Sequence, residues 1–341
     1  MEKYQILPRT LSLITTYKCS ASCENCCFEC SPHRQEELPL SEAKKYINDV
    51  SKKFPSIRTI VLTGGENFLN VEKTICLLNH AKRKGLNCRI VTNGFWASSQ
   101  EKAYNLLKRC KDAGLDEINF STGDDHLNFV PIKNITNAIS SALSLDITTI
   151  VNIESGKGRE FNRKKLLAKL DSSLLSTKRN KFSIINGMWM PFTQESLNNL
   201  QPINKGYFHP VMDRCTNLFS GITISPNCHL LACCGLPVKY IKYLDLGNLY
   251  NNDIKELFLY QFNDFLKIWL FVEGPYKILL FIEKMLKEDI PELKVLSHMC
   301  FYCACLFTNK KYLTAAQYFY NQKYESVIVR FYLLLKQMKK K

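Results

Sequence analysis

Six short, β-branched apolar stretches alternate with helix-like patterns through the first half of this chain, and that alternation restricts the fold more than any other feature. The strand-like runs are 10–15 (TLSLIT), 57–62 (IRTIVL), 88–92 (CRIVT), 117–121 (EINFS), 147–153 (ITTIVNI) and 182–187 (FSIING). Helical patterns lie between them at about 41–53, 71–84, 99–113, 132–145 and 162–175. Ser41 followed by Glu42 is expected to open the first helix, and Gly85 and Gly114 to close the second and third. Serial βα units pair their strands in parallel and cross over right-handedly. The expected product is an α/β fold whose sheet is either open or curled into a partial barrel. In both cases the reactive loops gather at the C-terminal ends of the strands.

After about residue 190 the rhythm changes. A Pro- and Asn-rich connection (190–212) leads to a short strand pair, Gly221–Ser225 and His229–Cys233, joined through Pro226-Asn227. Helical stretches fill roughly 251–290 and 310–338. We therefore expect a catalytic domain over 1–190 and a cysteine-bearing extension over 191–341. With 46% hydrophobic and 23% charged residues in 341, a disordered or collagen-like chain is excluded.

The 46 basic residues outnumber 31 acidic ones, giving a formal charge of +15. That excess is scattered, and its only dense run is Lys339-Lys340-Lys341, so a solvated surface is expected rather than a nucleic-acid stripe. A basic cleft attracting an acidic peptide or cofactor fits the same charge. The longest stretch without Asp, Glu, Lys or Arg, Cys215–Val238, is interrupted by Asn217, Pro226, Asn227 and Pro237 and does not read as a membrane span. Nor does 265–285, which carries Lys267, Glu273, Pro275 and Lys277. With no secretory pattern at residue 1, a cytoplasmic location is expected.

Fifteen cysteines in such a compartment point to metal or catalysis rather than disulfides. Cys76, Cys88 and Cys110 are isolated and read as small buried hydrophobes. The other twelve fall into three groups, Cys19 to Cys30, Cys215 to Cys234 and Cys300 to Cys305. Cys19-x3-Cys23-x2-Cys26 follows the first strand directly, a spacing that lets one loop reach three corners of a metal cluster and leave an iron open. A zinc knuckle completed by Cys30 or His33 uses the same residues. Thr63-Gly64-Gly65-Glu66 follows the second strand at the same end of the sheet. Its paired glycines permit close approach to the backbone, and Glu66 offers an acceptor for an ammonium group.

On these two motifs the sequence resembles the radical S-adenosylmethionine (SAM) superfamily over roughly residues 10–190. The resemblance implies a partial (β/α)6 TIM-type barrel. It also implies a 4Fe–4S cluster on Cys19, Cys23 and Cys26 whose open iron takes SAM, with Gly64, Gly65 and Glu66 helping to hold that cofactor. Asn93, Ser121 and Asn152 stand where relatives contact SAM. The implied chemistry is one-electron cleavage of SAM to a 5′-deoxyadenosyl radical that abstracts hydrogen from unactivated carbon. The residue before the third cysteine is usually aromatic in the family and is Asn25 here, which leaves adenine stacking without its usual partner.

In the extension, Cys300-x2-Cys303 has the spacing of two ligands to a cluster or a zinc ion. It resembles the SPASM or twitch-type extensions of peptide-modifying radical SAM enzymes. That likeness implies a small iron–sulfur extension of one hairpin plus helices, holding a second, auxiliary 4Fe–4S cluster on Cys215, Cys233, Cys300 and Cys303. Neighbours on a strand face opposite ways, so of Cys233 and Cys234 one is expected to ligate and the other to project away, free to donate a hydrogen atom. Geometry does not say which does which. With Cys26-Cys27-Phe28-x-Cys30-Ser31-Pro32 and Asn93-Gly94-Phe95-Trp96 added, the chain to about Phe307 resembles the epipeptide radical SAM epimerases, which introduce D-residues into ribosomal peptides. That resemblance assigns the donor to Cys234. It implies a precursor peptide as substrate and a small electron donor such as flavodoxin or ferredoxin, with no nucleic-acid or membrane partner. The stretch Ser121-Thr122-Gly123-Asp124-Asp125-His126 departs from relatives, which tend to carry Asp where this chain has Gly123. Cys228 and Cys305 are extra. Rival readings are a radical SAM maturase forming thioether or carbon–carbon crosslinks, a non-catalytic zinc or iron–sulfur protein, and, on charge alone, RNA modification.

Overall fold

A computed structural model describes residues 6–155, 158–188, 214–294 and 298–339. The chain falls into two compact units. One comprises Arg9–Pro191 with Ile224–Cys228, and the other Met1–Pro8 with Phe192–Thr223 and His229–Lys341. The connection expected at 190–212 lies outside the described residues.

The first unit is built on six parallel strands: β1 (Thr10–Thr16), β2 (Thr59–Gly64), β3 (Asn87–Thr92), β4 (Leu115–Thr122), β5 (Thr148–Ser155) and β6 (Phe182–Met188). They pair strictly in chain order, β1 with β2 through β5 with β6, and every pairing is parallel. β6 does not return to β1, so this is a partial barrel that stops short of closing. Leu11, Leu13, Ile60, Leu62, Ile90, Ile118 and Phe120 are each at most 1% exposed, as expected of strands covered on both faces.

Helices α1 (Leu40–Lys53), α2 (Val71–Lys82), α3 (Gln100–Asp112) and, beyond the short α4 (Asp124–Leu127), α5 (Ile132–Ser144) fill the crossovers. Their starts follow side-chain caps where the sequence supplies one. Asn70 accepts from Lys73 N at 3.1 Å, and Ser99 from Lys102 N at 3.2 Å. Ser41, expected to open α1, sits inside it, because the helix begins at Leu40 with Pro39, at φ −57° and ψ 141°, as its N-cap. The helix expected over 162–175 is two short ones, α6 (Arg163–Leu167) and α7 (Ser172–Thr177), separated where Asp171 caps the second. Cys88 and Cys110 are buried as expected, whereas Cys76 is only half-buried.

The second unit contains β7 (Gly221–Ile224, its last residue grouping with the first unit), β8 (His229–Leu231) and a strand not foreseen, β9 (Asp245–Asn248), antiparallel to β8. Its helices are α8 (Ile254–Tyr260), α9 (Phe265–Leu286), α10 (Met299–Thr308), α11 (Lys310–Phe319) and α12 (Asn321–Lys339). α9 is broken at Gly274, whose φ of 79° and ψ of 161° are not helical, followed by Pro275. Beside the break, Glu273 is buried and takes the indole N–H of Trp269 at 2.8 Å and a guanidinium N–H of Arg330 at 2.6 Å. No helix among the described residues is long and apolar enough to cross a membrane.

Gly85 and Gly114 both follow helices with positive φ, +76° and +107°. A Cβ on Gly85 meets nothing within 4 Å, while one on Gly114 lands 2.7 Å from the Lys82 side chain. Gly85→Ala is therefore expected to cost roughly 1 kcal/mol, the price of a left-handed alanine, and Gly114→Ala clearly more. Urea unfolding of both variants checks the order; equal losses would mean that the contact with Lys82 plays no part.

Candidate active site

The loop after β1 carries Cys19, Cys23 and Cys26, and it is fastened to the end of β2 by backbone alone. Gly65 N donates to Thr16 O at 2.7 Å, and Glu66 N to Lys18 O at 2.9 Å. A Cβ on Gly65 would lie 2.0 Å from Lys18 O, and one on Gly64, at φ +117°, 2.5 Å from Thr16 O. The close approach that the paired glycines allow is thus taken up by the chain's own cysteine loop.

Glu66 is 1% exposed and spans β2 and β3. Its carboxylate accepts from Phe68 N at 3.0 Å, from the Thr92 hydroxyl at 2.9 Å and from Asn93 N at 2.8 Å. Burial pushes its pKa up to about 7 in spite of those donors. The Asn93 side chain then returns to the loop, donating to Ser20 Oγ at 3.0 Å and to Cys19 Sγ at 3.6 Å. Trp96, from the same motif, donates to Thr92 Oγ1 at 3.0 Å and packs edge-on against Phe68. Ser121 and Asn152 are register partners on β4 and β5. The Asn152 Oδ1 is buried without a hydrogen-bond partner among the described residues, and only a glycine at 187 leaves room for that amide, since a Cβ there would lie 2.0 Å from it.

Sequence reasoning missed the group that holds the other side of the loop. Asn25 is buried and donates to Asp125 Oδ2. Arg159 bridges Asp125 at 2.7 Å and Glu154 at 2.8 Å, and Asp125 N donates to Glu154 Oε2 at 2.9 Å. Gly123 makes room for it: its φ is +142°, and a Cβ there would fall 2.3 Å from Glu154 Cβ. The departure from relatives at Gly123 is therefore tied to Glu154, and Asn25, in the place of the usual aromatic, is a tether. Burial would raise the Asp125 carboxyl, but its bonds from Asn25 and Arg159 outweigh that and hold it below its ordinary value. Glu154 is pushed up to about 7 by burial. A lone Arg following Gly158 gives no sequence signal, although the Asp124-Asp125 pair was visible.

The loop thiols stand close enough to raise one another. Burial and then the neighbouring thiols lift Cys23 well above its usual range, and burial takes Cys19 up to about 11. Cys30, 4% exposed, donates its backbone N–H to Cys26 Sγ at 3.3 Å, and a side-chain hydrogen bond to Cys26 raises its own thiol.

In the second unit, Cys215, Cys233, Cys300 and Cys303 line one small apolar cavity with Leu218, Leu244 and Leu270. Gly235 lies against it. Its N–H donates to Cys233 Sγ at 3.4 Å, and a Cβ would lie 3.3 Å from that sulfur and 3.4 Å from Cys300 Sγ. Burial raises all four thiols, Cys300 to about 12. Cys234 is not part of the lining and is exposed, although neighbouring protein still desolvates its thiol and raises it. The strand alternation expected at this pair is not what divides it. β8 ends at Leu231, so it is the irregular backbone before Gly235, rather than strand alternation, that separates the two thiols. Cys228 and Cys305 are buried.

Residues 13–140 match the radical SAM superfamily. The chain carries a radical SAM domain. It is 26% identical over 179 residues to YydG of Bacillus subtilis (strain 168), a protein assigned to peptide biosynthesis, covering 52% of this chain and 55% of that protein. It is 26% identical over 151 residues to a Methanocaldococcus jannaschii protein assigned as a GTP 3′,8-cyclase, covering 42% of this chain and 48% of the relative. The chain thus spans about half the length of the curated relatives it matches. In fold it is similar to native anSMEcpe with bound AdoMet and Cp18Cys peptide, with a TM-score of 0.52 and 13% identity over 97% of this chain and 99% of that one.

A radical SAM domain implies a 4Fe–4S cluster and SAM, and the residues present fit them. Three soft thiols come from one loop, and the unpartnered Asn152 Oδ1 offers an acceptor. Among the described residues no three of His, Cys, Asp and Glu converge on a single-ion position. Ligands to the corners of a cluster stand further apart than ligands to one ion.

Two outcomes follow from the charges. Arg159→Met leaves Asp125 and Glu154 buried without a counter-charge and is expected to cost about 3–5 kcal/mol. In urea unfolding the deficit shrinks as pH falls and the carboxylates protonate; a pH-independent deficit would contradict the pairing. His126, 6% exposed, is held down to about 4 by burial. The unfolded chain therefore takes up a proton near pH 6.5 that the folded one refuses until about 4. Stability from this group is complete above 6.5 and is lost on acidification through that window, by on the order of 3 kcal/mol. Glu66 and Glu154, whose pKa values are raised, act in the opposite sense, so the difference between wild type and His126→Asn across pH isolates the effect.

Proposed function

We propose that the chain is a radical SAM peptide epimerase, converting L- to D-residues in a ribosomally made precursor peptide. The radical SAM domain and the similarity to a protein assigned to peptide biosynthesis support the class and the substrate. The observation that carries the epimerase assignment is the divided pair, Cys233 buried among three other thiols and Cys234 apart and reachable. In this reading Cys19, Cys23 and Cys26 hold the first cluster. Gly64, Gly65, Glu66, Asn93, Ser121 and Asn152 shape the place of SAM, and Cys215, Cys233, Cys300 and Cys303 hold an auxiliary 4Fe–4S cluster. The division into domains is 1–190 and 191–341.

When bound, the cluster and SAM would supply the one-electron chemistry that removes a hydrogen atom from a backbone Cα. The chain's own part is the return. Cys234 keeps a hydrogen at Sγ because its raised pKa holds it as a thiol at neutral pH, and a thiolate has none to give. Transfer to the opposite face of Cα breaks S–H and forms C–H. The sulfur radical left behind takes one electron and one proton to become a thiol again, the electron coming from a small donor such as flavodoxin or ferredoxin.

Turnover in deuterated water is the test. The expected product keeps its composition and gains one deuterium at each inverted Cα. Cys234→Ala is expected to lose D-residue formation while 5′-deoxyadenosine is still released. A product two mass units lighter, formed equally well without Cys234, would replace epimerisation by crosslinking. Zinc in place of about eight irons per chain after anaerobic reconstitution would remove the catalytic reading.

A further inference from the structure

The second unit holds an open groove of about 610 Å³ that the hydrogen-transfer chemistry does not use. Arg214, Lys277 and Arg330 surround an apolar floor of Val272, Met299 and Leu333, and no carboxylate lines it. The three cations are not equivalent. Arg330 is already paired, at 2.6 Å, with the buried Glu273. Arg214 lies over the Phe271 ring at 5.3 Å and makes no ion pair among the described residues. Lys277 is half-buried on α9 and makes no ion pair among the described residues. Two positive charges therefore line a concave surface with no anion among the described residues to balance them.

We infer that this groove docks an acidic segment of the peptide substrate, its carboxylates on Arg214 and Lys277 and its aliphatic side chains on the floor. The inference rests on the proposed peptide reading. A carboxylate brought to these cations forms charge-assisted hydrogen bonds, which are shorter and stronger than neutral ones. A phosphate backbone would satisfy the same cations but leave Val272, Met299 and Leu333 uncovered, so charge and apolar surface together favour peptide. The +15 excess draws such a segment in from solution. Arg214 adjoins Cys215 and Met299 adjoins Cys300, so the docked segment is held beside the thiol-lined cavity.

Fluorescence anisotropy of a short fluorescein-labelled peptide of Glu and Leu, titrated with the full-length protein, tests this without any turnover. Binding is expected to weaken with salt and by about tenfold or more in Arg214→Gln and in Lys277→Glu, the loss of one charge-assisted contact each. Lys277→Glu is expected to gain affinity for the matching peptide of Lys and Leu. The milder Lys277→Gln, with thermal unfolding and iron content recorded for every variant, separates lost docking from lost folding. Equal binding of a Gln-Leu peptide, or indifference to both positions, would overturn the proposal. So would a single-stranded RNA that competes and depends on the same residues, or variants that shift the auxiliary cluster's potential while peptide affinity holds. A protein that binds the peptide here yet releases no 5′-deoxyadenosine would remove the proposed activity and leave the groove standing. One that epimerises regardless of Lys277 and Arg214 would do the reverse.

Discussion

Everything at the head of the parallel sheet depends on how closely the backbone of the cysteine loop lies against Gly64 and Gly65. With 2.0 Å between the Lys18 carbonyl and the position of a Cβ at residue 65, no other amino acid lets β2 end there while the loop stays in place. The contact is backbone to backbone, so it holds the loop without spending any of its side chains. Glu66, next in the chain, is thereby drawn beneath the loop, where Thr92 and the Asn93 amide meet its carboxylate. Asn93 closes the circuit at Ser20 and Cys19. Three strand ends and the thiols are thus one connected piece, and a displacement of any member strains the rest.

The other edge of the loop is fixed by different means. Asn25 reaches Asp125, Asp125 reaches Arg159, and Arg159 reaches Glu154. Two carboxylates and one guanidinium share a site of low dielectric, so one negative charge is in excess, which is why Glu154 rises towards neutral pH while Asp125, better supplied with donors, falls. Desolvating charge in this way adds little net stability, but it fixes geometry, because a loop that shifted would leave a buried ion alone. The backbone contact at the first edge is steric and does not depend on pH, whereas the Glu66 carboxylate beneath it and the charged group at the second edge both titrate.

Much of this was legible in the residues. The six strand runs fall within two or three residues of the observed strands, because continuous β-branched runs bounded by glycine and helical patterns have few other outcomes. The three cysteine groups were visible from spacing. What was not legible has physical reasons. The helix Met299–Thr308, which bears Cys300 and Cys303, reads MCFYCACLFT and is apolar nearly all round, so no 3.6-residue stripe marks it. β9 is too short to show alternation. The tether of Asn25, Asp125 and Arg159 joins residues about 30 to 130 positions apart, and no local pattern encodes such a meeting.

The divided pair presents the sharpest demand. As a proposed ligand Cys233 must give up its proton, and as a proposed donor Cys234 must keep one, though the two are adjacent and burial raises both. The surroundings alone would leave both as thiols, so in the proposed reading the asymmetry would come from the auxiliary cluster. A cluster held by Cys215, Cys233, Cys300 and Cys303 would take those sulfurs as thiolates and would leave a sulfur outside the cavity protonated. Gly235 is what lets neighbours be treated so differently. Without a side chain it passes close to Cys233 and Cys300, adds an N–H to the Cys233 sulfur, and leaves Cys234 outside the lining. A side chain at 235 would press on both sulfurs and narrow the space that separates the proposed ligand from the proposed donor.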